Sequence, residues 1–258
     1  MESITSAKNE KIKNLSALLK SKKERELQDS FVIEGVRLFK DTLNTAPHVL
    51  QSIFISESSE YAAFPERLTG HLDNVKTYIV KDSVLDFVSG TVTSQGIMAI
   101  AKKPSNDLEE ILSKGKRLLL LENIQDPGNL GTMLRTAEAA GMDAIIMSSD
   151  CTDIFSPKVV RSSMGSIFRM PFIYCEDFIT TLKTIKKHDI TIYAAYLHGG
   201  IPYKEVDYDD KFGILIGNEG NGLTKEAVDI SDKRIFIPMS GQIESLNAAI
   251  AAAILMFR

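Results

Sequence analysis

Cysteine is scarce: Cys151 and Cys175 are the two thiols in 258 residues. Their spacing forms no CxxC or zinc pattern, which excludes a disulfide framework and a thiolate metal centre. Both read as small buried apolar groups in a cytosolic chain. The four histidines, His48, His71, His188 and His198, are scattered without ligand spacing, and His198 before Gly199-Gly200 reads as a turn residue. No metal is expected. No apolar run approaches the roughly 18 residues needed to cross a bilayer, and Met1-Glu2-Ser3 opens no signal-peptide core. The expectation is a soluble, cytoplasmic protein that does not engage membranes. Positive charge is not in excess: the formal net charge is −4, which excludes a general basic coat for nucleic acid but leaves local patches open. There is no G-x-G-x-x-G in a first strand–helix turn, which weakens a dinucleotide oxidoreductase. Repeats and low-complexity tracts are absent.

What is present is a core-forming chain, 44% hydrophobic, long enough for one large domain or two smaller ones. The N-terminal part opens on a basic helix carrying Lys8, Lys11, Lys13, Lys20, Lys22, Lys23 and Arg25, with Ile12, Leu15, Leu18 and Leu19 as its apolar stripe. Strands at 31–33, 49–56, 75–80 and 96–101 alternate with helices at 35–43 and 81–88, a small α/β domain over 1–103. Lys103 to Asp107 is polar and proline-broken, and a linker is expected over 104–114. From 115 to 258 the apolar runs lengthen. Arg117 to Glu122 holds four consecutive leucines, as a buried parallel strand does. Further strands at 143–147, 190–197, 212–216 and 234–237 alternate with helices at 130–140, 177–187 and 246–257 and a helical or turn-rich segment at 157–164. The fold class is α/β, a parallel sheet with helices on both sides.

Polar clusters interrupt this pattern at strand ends. Glu122-Asn123-Ile124-Gln125-Asp126-Pro127-Gly128-Asn129-Leu130-Gly131 joins a strand to a helix, with Asn129 placed to cap it and Arg135 in its first turns. A helix start beside an arginine suits phosphate, and an arginine pairing with Glu138 is the plain alternative. Gly217-Asn218-Glu219-Gly220-Asn221-Gly222 follows the apolar run Phe212 to Ile216. Its acid repels phosphate and suits a sulfonium or a ribose hydroxyl. Ile237-Pro238-Met239 closes another run, and Glu244-Ser245-Leu246-Asn247 opens an alanine-rich helix that Ser245 or Asn247 caps. Glycine- and proline-broken turns at the ends of adjacent strands are where an open α/β sheet places its ligand. Ser156 to Gly165 is basic and hydroxyl-rich, a phosphate contact through Arg161 or a surface loop.

In order, these segments resemble the three motifs of the SPOUT superfamily, in its SpoU/TrmH branch of RNA ribose 2′-O-methyltransferases. The first runs from Asn123 to Gly131 and on through Arg135-Thr136-Ala137. The second is Ile216 to Leu223. The third runs from Ile237-Pro238-Met239 to Ser245-Leu246-Asn247. Residues 1 to about 103 are similar to the L30e/L7Ae-like substrate-binding domain often fused ahead of it, on Phe31-Val32-Ile33-Glu34-Gly35 and Ser94-Gln95-Gly96-Ile97.

The resemblance implies a C-terminal trefoil knot, a homodimer and an S-adenosylmethionine pocket. Ile216, Gly217, Asn218, Gly220, Ile237, Met239, Ser245 and Leu246 would line that pocket. It implies Arg135 as the main catalytic residue, as base or phosphate clamp, with Asn129, Glu219, Ser245 and Asn247 around it. The substrate implied is structured RNA, large-subunit (23S) ribosomal RNA first and transfer RNA second. Lys11, Lys22, Lys23, Arg25 and Arg161 are the candidate RNA contacts. A noncatalytic ribosome-assembly protein and a base methyltransferase of another SPOUT branch are the rival readings.

Overall fold

The computed structural model describes residues 2–63, 72, 75–89, 95–243 and 245–258; His71, Ser94 and Glu244 lie outside them. The chain divides into two compact units, Met1–Pro104 with Phe155–Phe168, and Ser105–Ile154 with Arg169–Arg258.

In the first unit the chain runs β1 (Glu2–Ile4), α1 (Glu10–Lys20), α2 (Lys22–Leu27), β2 (Ser30–Glu34), α3 (Val36–Thr45), β3 (Leu50–Ser56), β4 (Lys76–Val80), α4 (Asp82–Ser89) and β5 (Ile97–Lys102). The strands form one sheet in the order β1-β4-β3-β5-β2, with β5 antiparallel to both neighbours. Ile12, Leu15 and Leu18 are buried against this sheet, so the apolar stripe read from the sequence is the packed face of α1. The single basic helix expected there is two. Ser21 ends α1 and caps α2, its hydroxyl accepting from Glu24 N at 3.2 Å. The two halves of the N-terminal motif meet: Gly35 N donates to Ile97 O at 3.0 Å, and Val36 N to the Gln95 side chain at 3.0 Å.

The second unit contains α5 (Leu108–Lys114), β6 (Arg117–Leu121), α6 (Pro127–Ala139), β7 (Ala144–Ser148), β8 (Phe172–Cys175), α8 (Phe178–Lys187), β9 (Thr191–Ala195), β10 (Ile201–Pro202), β11 (Phe212–Ile216), α9 (Lys225–Ile230), β12 (Lys233–Phe236) and α10 (Ala248–Met256). Between β7 and β8, α7 (Pro157–Ser162) belongs to the first unit. The sheet is parallel throughout, ordered β10-β12-β9-β11-β6-β7-β8. Leu118 to Leu121 are fully buried at its centre, which is why that strand reads as an unbroken apolar run.

Two expectations change here. Residues 108–114, taken as linker, form α5, because Asp107 caps it (Glu110 N donates at 3.0 Å) and Ile111 and Leu112 are buried in the second unit's core. The strands ending at Ile216 and Phe236 are not adjacent. β9 lies between them, hydrogen-bonded to both, with Ile192, Tyr193 and Ala194 buried.

Candidate functional site: three loops tied by one hydrogen-bond chain

The site is built at the carboxyl ends of β6 and β11 and at the start of α10. Pro127 occupies the first turn of α6, where its missing N–H costs nothing. That makes Asp126 the cap, its carboxylate accepting from Asn129 N at 2.8 Å. Asn129 was expected to cap; instead its half-buried side chain is free to bridge. Its Nδ2 donates to Glu219 Oε1 at 3.0 Å, and its Oδ1 accepts from Asn247 Nδ2 at 2.8 Å. Asn247 in turn caps α10, accepting from Ala249 N at 2.9 Å and Ile250 N at 3.2 Å. One side-chain amide thus connects all three loops.

Glu219 reaches back onto the first loop. Its carboxylate accepts from Gln125 N and Asp126 N, both at 3.1 Å, besides Asn129. Burial pushes its pKa up, but the donors from Asn129, Gln125 and Asp126 outweigh that and hold it below the ordinary value. Both oxygens are engaged within the chain, so the charge matches main-chain donors at the start of α6.

The turn carrying Glu219 is closed by Asn218 N to Gly222 O at 3.0 Å and Gly222 N to Asn218 O at 2.9 Å. A Cβ on Gly217 would lie 2.3 Å from Gly222 C and 2.4 Å from Leu223 N. Glycine at 217 is therefore required by the turn's own return leg. Asn218 Nδ2 donates to Asn123 O at 2.8 Å, a second tie between the first two loops. A third element holds the first loop: Asn123 N donates to Ser148 Oγ at 2.8 Å and Gln125 Nε2 to Asp150 O at 2.6 Å. The Cys151 thiol, its pKa raised by burial, accepts from Ile124 N at 3.2 Å. Both cysteines are free and buried, the packing role read for them.

Arg135 lies further along α6 and is exposed. Among the described residues it makes no ion pair. Glu138, its expected alternative partner, is taken by Arg169, whose Nη2 lies 3.1 Å away. Met239 to Ile243 and Ser245 form no helix or strand, and among the described residues their main chain makes no hydrogen bond to other main chain. Ile237 and Leu246 are half-buried and Ser245 exposed.

The candidate RNA contacts divide. Lys11, Lys22 and Lys23 are exposed, with Lys22 Nζ 3.7 Å from Glu26. Arg25 is not a surface cation. It is 5% exposed, its Nη1 donating to Leu18 O at 2.6 Å and Leu19 O at 3.3 Å, so it serves the α1–α2 elbow. Arg161 pairs with Glu34 at 3.2 Å. Glu122 was read only as the start of the first polar segment, and its tie to Thr224 was not read at all. The carboxylate of Glu122, 7% exposed, accepts from Thr224 N at 2.8 Å and Thr224 Oγ1 at 2.7 Å. An acid directly after four leucines was the available signal.

The SpoU rRNA Methylase family profile matches residues 116–257, and the MRM3-like substrate binding domain matches 9–99. The 23S rRNA (guanosine(2553)-2′-O)-methyltransferase RlmP of Bacillus subtilis is 35% identical, the match covering 100% of this chain and 98% of that protein. The AdoMet-bound rRNA methyltransferase from Sinorhizobium meliloti superposes with a TM-score of 0.87 at 30% identity, covering 99% of this chain and 96% of that one. The SpoU methyltransferase AviRb of Streptomyces viridochromogenes shares the fold, with a TM-score of 0.84 at 24% identity over 96% of this chain and 95% of that one. A parallel sheet whose three loops meet on one amide chain, under a profile covering more than half of the sequence, makes this chain a member of the SpoU rRNA methylase family.

Proposed function

We propose that this protein transfers a methyl group from S-adenosylmethionine to a ribose 2′-hydroxyl of large-subunit ribosomal RNA. The observation that carries the reading is the Glu219–Asn129–Asn247 chain, which gathers three separate loops beside a helix whose Arg135 makes no ion pair among the described residues. The donor set fits the cofactor. A segment whose main chain makes no main-chain hydrogen bond among the described residues, Met239 to Ile243 and Ser245, suits ribose and adenine, which need neutral donors and acceptors rather than a cluster of cations. Main chain at Ile216, Gly217, Asn218, Gly220, Ile237, Met239 and Leu246, with the Ser245 hydroxyl, would hold it. When bound, the cofactor supplies an electrophilic methyl carbon on a sulfonium.

Arg135 would hold the phosphate next to the target ribose and stabilise the charge that develops on the 2′-oxygen as it takes the methyl carbon; the carbon–sulfur bond breaks, the neutral thioether S-adenosylhomocysteine leaves, and the hydroxyl proton passes to solvent. Arginine stays protonated in proteins, which favours this clamp over a role as base. Asn129 and Asn247 fix the loops in register, and alignment of the reactants supplies much of the rate. The first unit selects the RNA, with Lys11, Lys22 and Lys23 on its surface contacting phosphates. The C-terminal segment is threaded as a trefoil knot, and the protein works as a cytoplasmic homodimer. These finer assignments rest on the family likeness and on the placement of the three loops.

Two measurements test the reading. Mapping 2′-O-methyl positions in total RNA of a deletion strain against its parent should reveal one lost site in large-subunit ribosomal RNA. A loss confined to transfer RNA would move the substrate, and no loss would overturn the activity. Arg135→Ala should keep S-adenosylmethionine affinity within about threefold while losing about 100-fold or more in turnover. Near-normal turnover would remove Arg135 from the mechanism.

A further inference from the structure

Glu122 is a buried carboxylate that the proposed chemistry does not use. It follows β6 directly, and its N–H continues the sheet by donating to Ile216 O at 2.9 Å, the last residue of β11. Its side chain then spans the next loop. Oε2 accepts from Thr224 N at 2.8 Å and Oε1 from Thr224 Oγ1 at 2.7 Å. Thr224 closes the glycine-rich turn and caps α9, its Oγ1 accepting from Ala227 N at 3.2 Å. Among the described residues, Glu122 has no cationic partner. A carboxylate buried with two hydrogen bonds and no counter-charge is a costly way to hold a loop, since apolar packing at that position would avoid the desolvation penalty.

The arrangement is reciprocal. Glu219, from the second loop, holds the first loop by its main chain and Asn129; Glu122, from the strand feeding the first loop, holds the far end of the second. The turn from Gly217 to Gly222 is thereby tied at Glu219, within it, to the first loop and the start of α6, and at Thr224, just beyond it, to the residue that follows β6. Gly217 tolerates no Cβ because that turn doubles back on itself, so its shape is internally set. Its position relative to the first loop is not; the Asn218 amide on Asn123 O and two carboxylates set it.

We infer that Glu122, acting through Thr224, is a positioning residue for methyl-donor binding: it sets the placement of the Gly217–Gly222 turn from which the donor is gripped. The inference rests on the proposed S-adenosylmethionine site. It predicts a loss in donor affinity and in the KM for the donor, with the chemical step at saturating donor less affected.

The test uses full-length protein and S-adenosylmethionine by calorimetry, with thermal melting alongside. The parent chain is measured first; failure of the parent to bind would sink the proposed function itself, separately from this inference. Given parent binding, Glu122→Ala should weaken donor affinity at least tenfold. Thr224→Val, which keeps the main-chain donor but removes the hydroxyl, should weaken it by severalfold. Thr224→Ser, which keeps both donors, should restore parent affinity. Raised KM with kcat at saturating donor within about threefold supports positioning. Should Glu122→Ala not fold, the Thr224 pair decides the matter. Parent-like affinity in Thr224→Val, or equal weakening in Thr224→Ser and Thr224→Val, overturns the inference, as does a lowered melting temperature with unchanged donor binding.

Discussion

Asn129 shows how a single side chain acquires its task from its neighbours. Asp126 takes the cap because Pro127 fills the first helical position, and the asparagine is left to bridge Glu219 and Asn247. The sequence held that clue, since proline at a helix start marks the residue before it as cap. What it did not hold was the partner: Glu219 lies 90 residues away in the chain and Asn247 lies 118 away, and no local rule pairs them. Glu219 was read as suited to a sulfonium or a ribose hydroxyl; its oxygens accept from two main-chain N–H groups and the Asn129 amide. This has a consequence for pH. A carboxyl whose folded-state pKa is depressed contributes stability above its ordinary value, near 4.5, and loses it as pH falls through the lower folded value. Glu219→Gln should therefore flatten the acid limb of a melting-temperature profile between about pH 6 and pH 3. Parallel profiles for parent and variant would show that the carboxylate contributes nothing to the loop's stability.

At the scale of elements, the strands and helices with strong periodicity were legible, as were the short β12 and α7, but several other short ones were not. β1, β8, β10 and α9 hold two to six residues each, too few for a pattern to rise above composition. The order of strands was also hidden. β9 separates β11 from β12 because pairing is a property of the whole sheet, and three apolar runs of similar length carry no record of their neighbours. The basic N-terminal segment was legible in its apolar stripe but not in its break at Ser21, and that break decides which cations face solvent. Arg25 turns inward to satisfy the carbonyls of Leu18 and Leu19 at the end of α1, where orphan acceptors need donors. Lys23, two residues earlier, is exposed. Arg25→Ala should lower stability by about 1–3 kcal/mol by leaving buried carbonyls unpartnered. Lys23→Ala should leave melting unchanged while weakening RNA binding and reducing the salt slope by about 1. Melting curves and RNA titrations across salt check both. The reverse pattern would put Arg25 on the RNA and Lys23 in the fold.

For the molecule as a whole, the division into two units is not a division of the chain into two pieces. The segment Phe155–Phe168 leaves the second unit and joins the first, where Phe31 meets Phe155 at 4.9 Å and Phe168 at 5.8 Å between ring centroids. A boundary drawn near 103 from composition missed this because the returning segment lies inside the longer half of the sequence. The same scale holds the proposed homodimer. One side of α10, with Ala249, Ala252, Leu255 and Met256, is buried, and the helix packs on α6 and β11. Its other side keeps Ile250 at 51% and Phe257 at 60% exposure, with Ile254 half-buried between them. Spacings of four and three place these residues on one stripe, and an apolar stripe on a terminal helix suits a second copy of the same surface. Gel filtration with light scattering should give a dimer for the parent chain and a monomer for the double variant Ile250→Asp, Phe257→Asp. A monomeric parent would refute the dimer, whereas a double variant that remains dimeric would move the contact to another face.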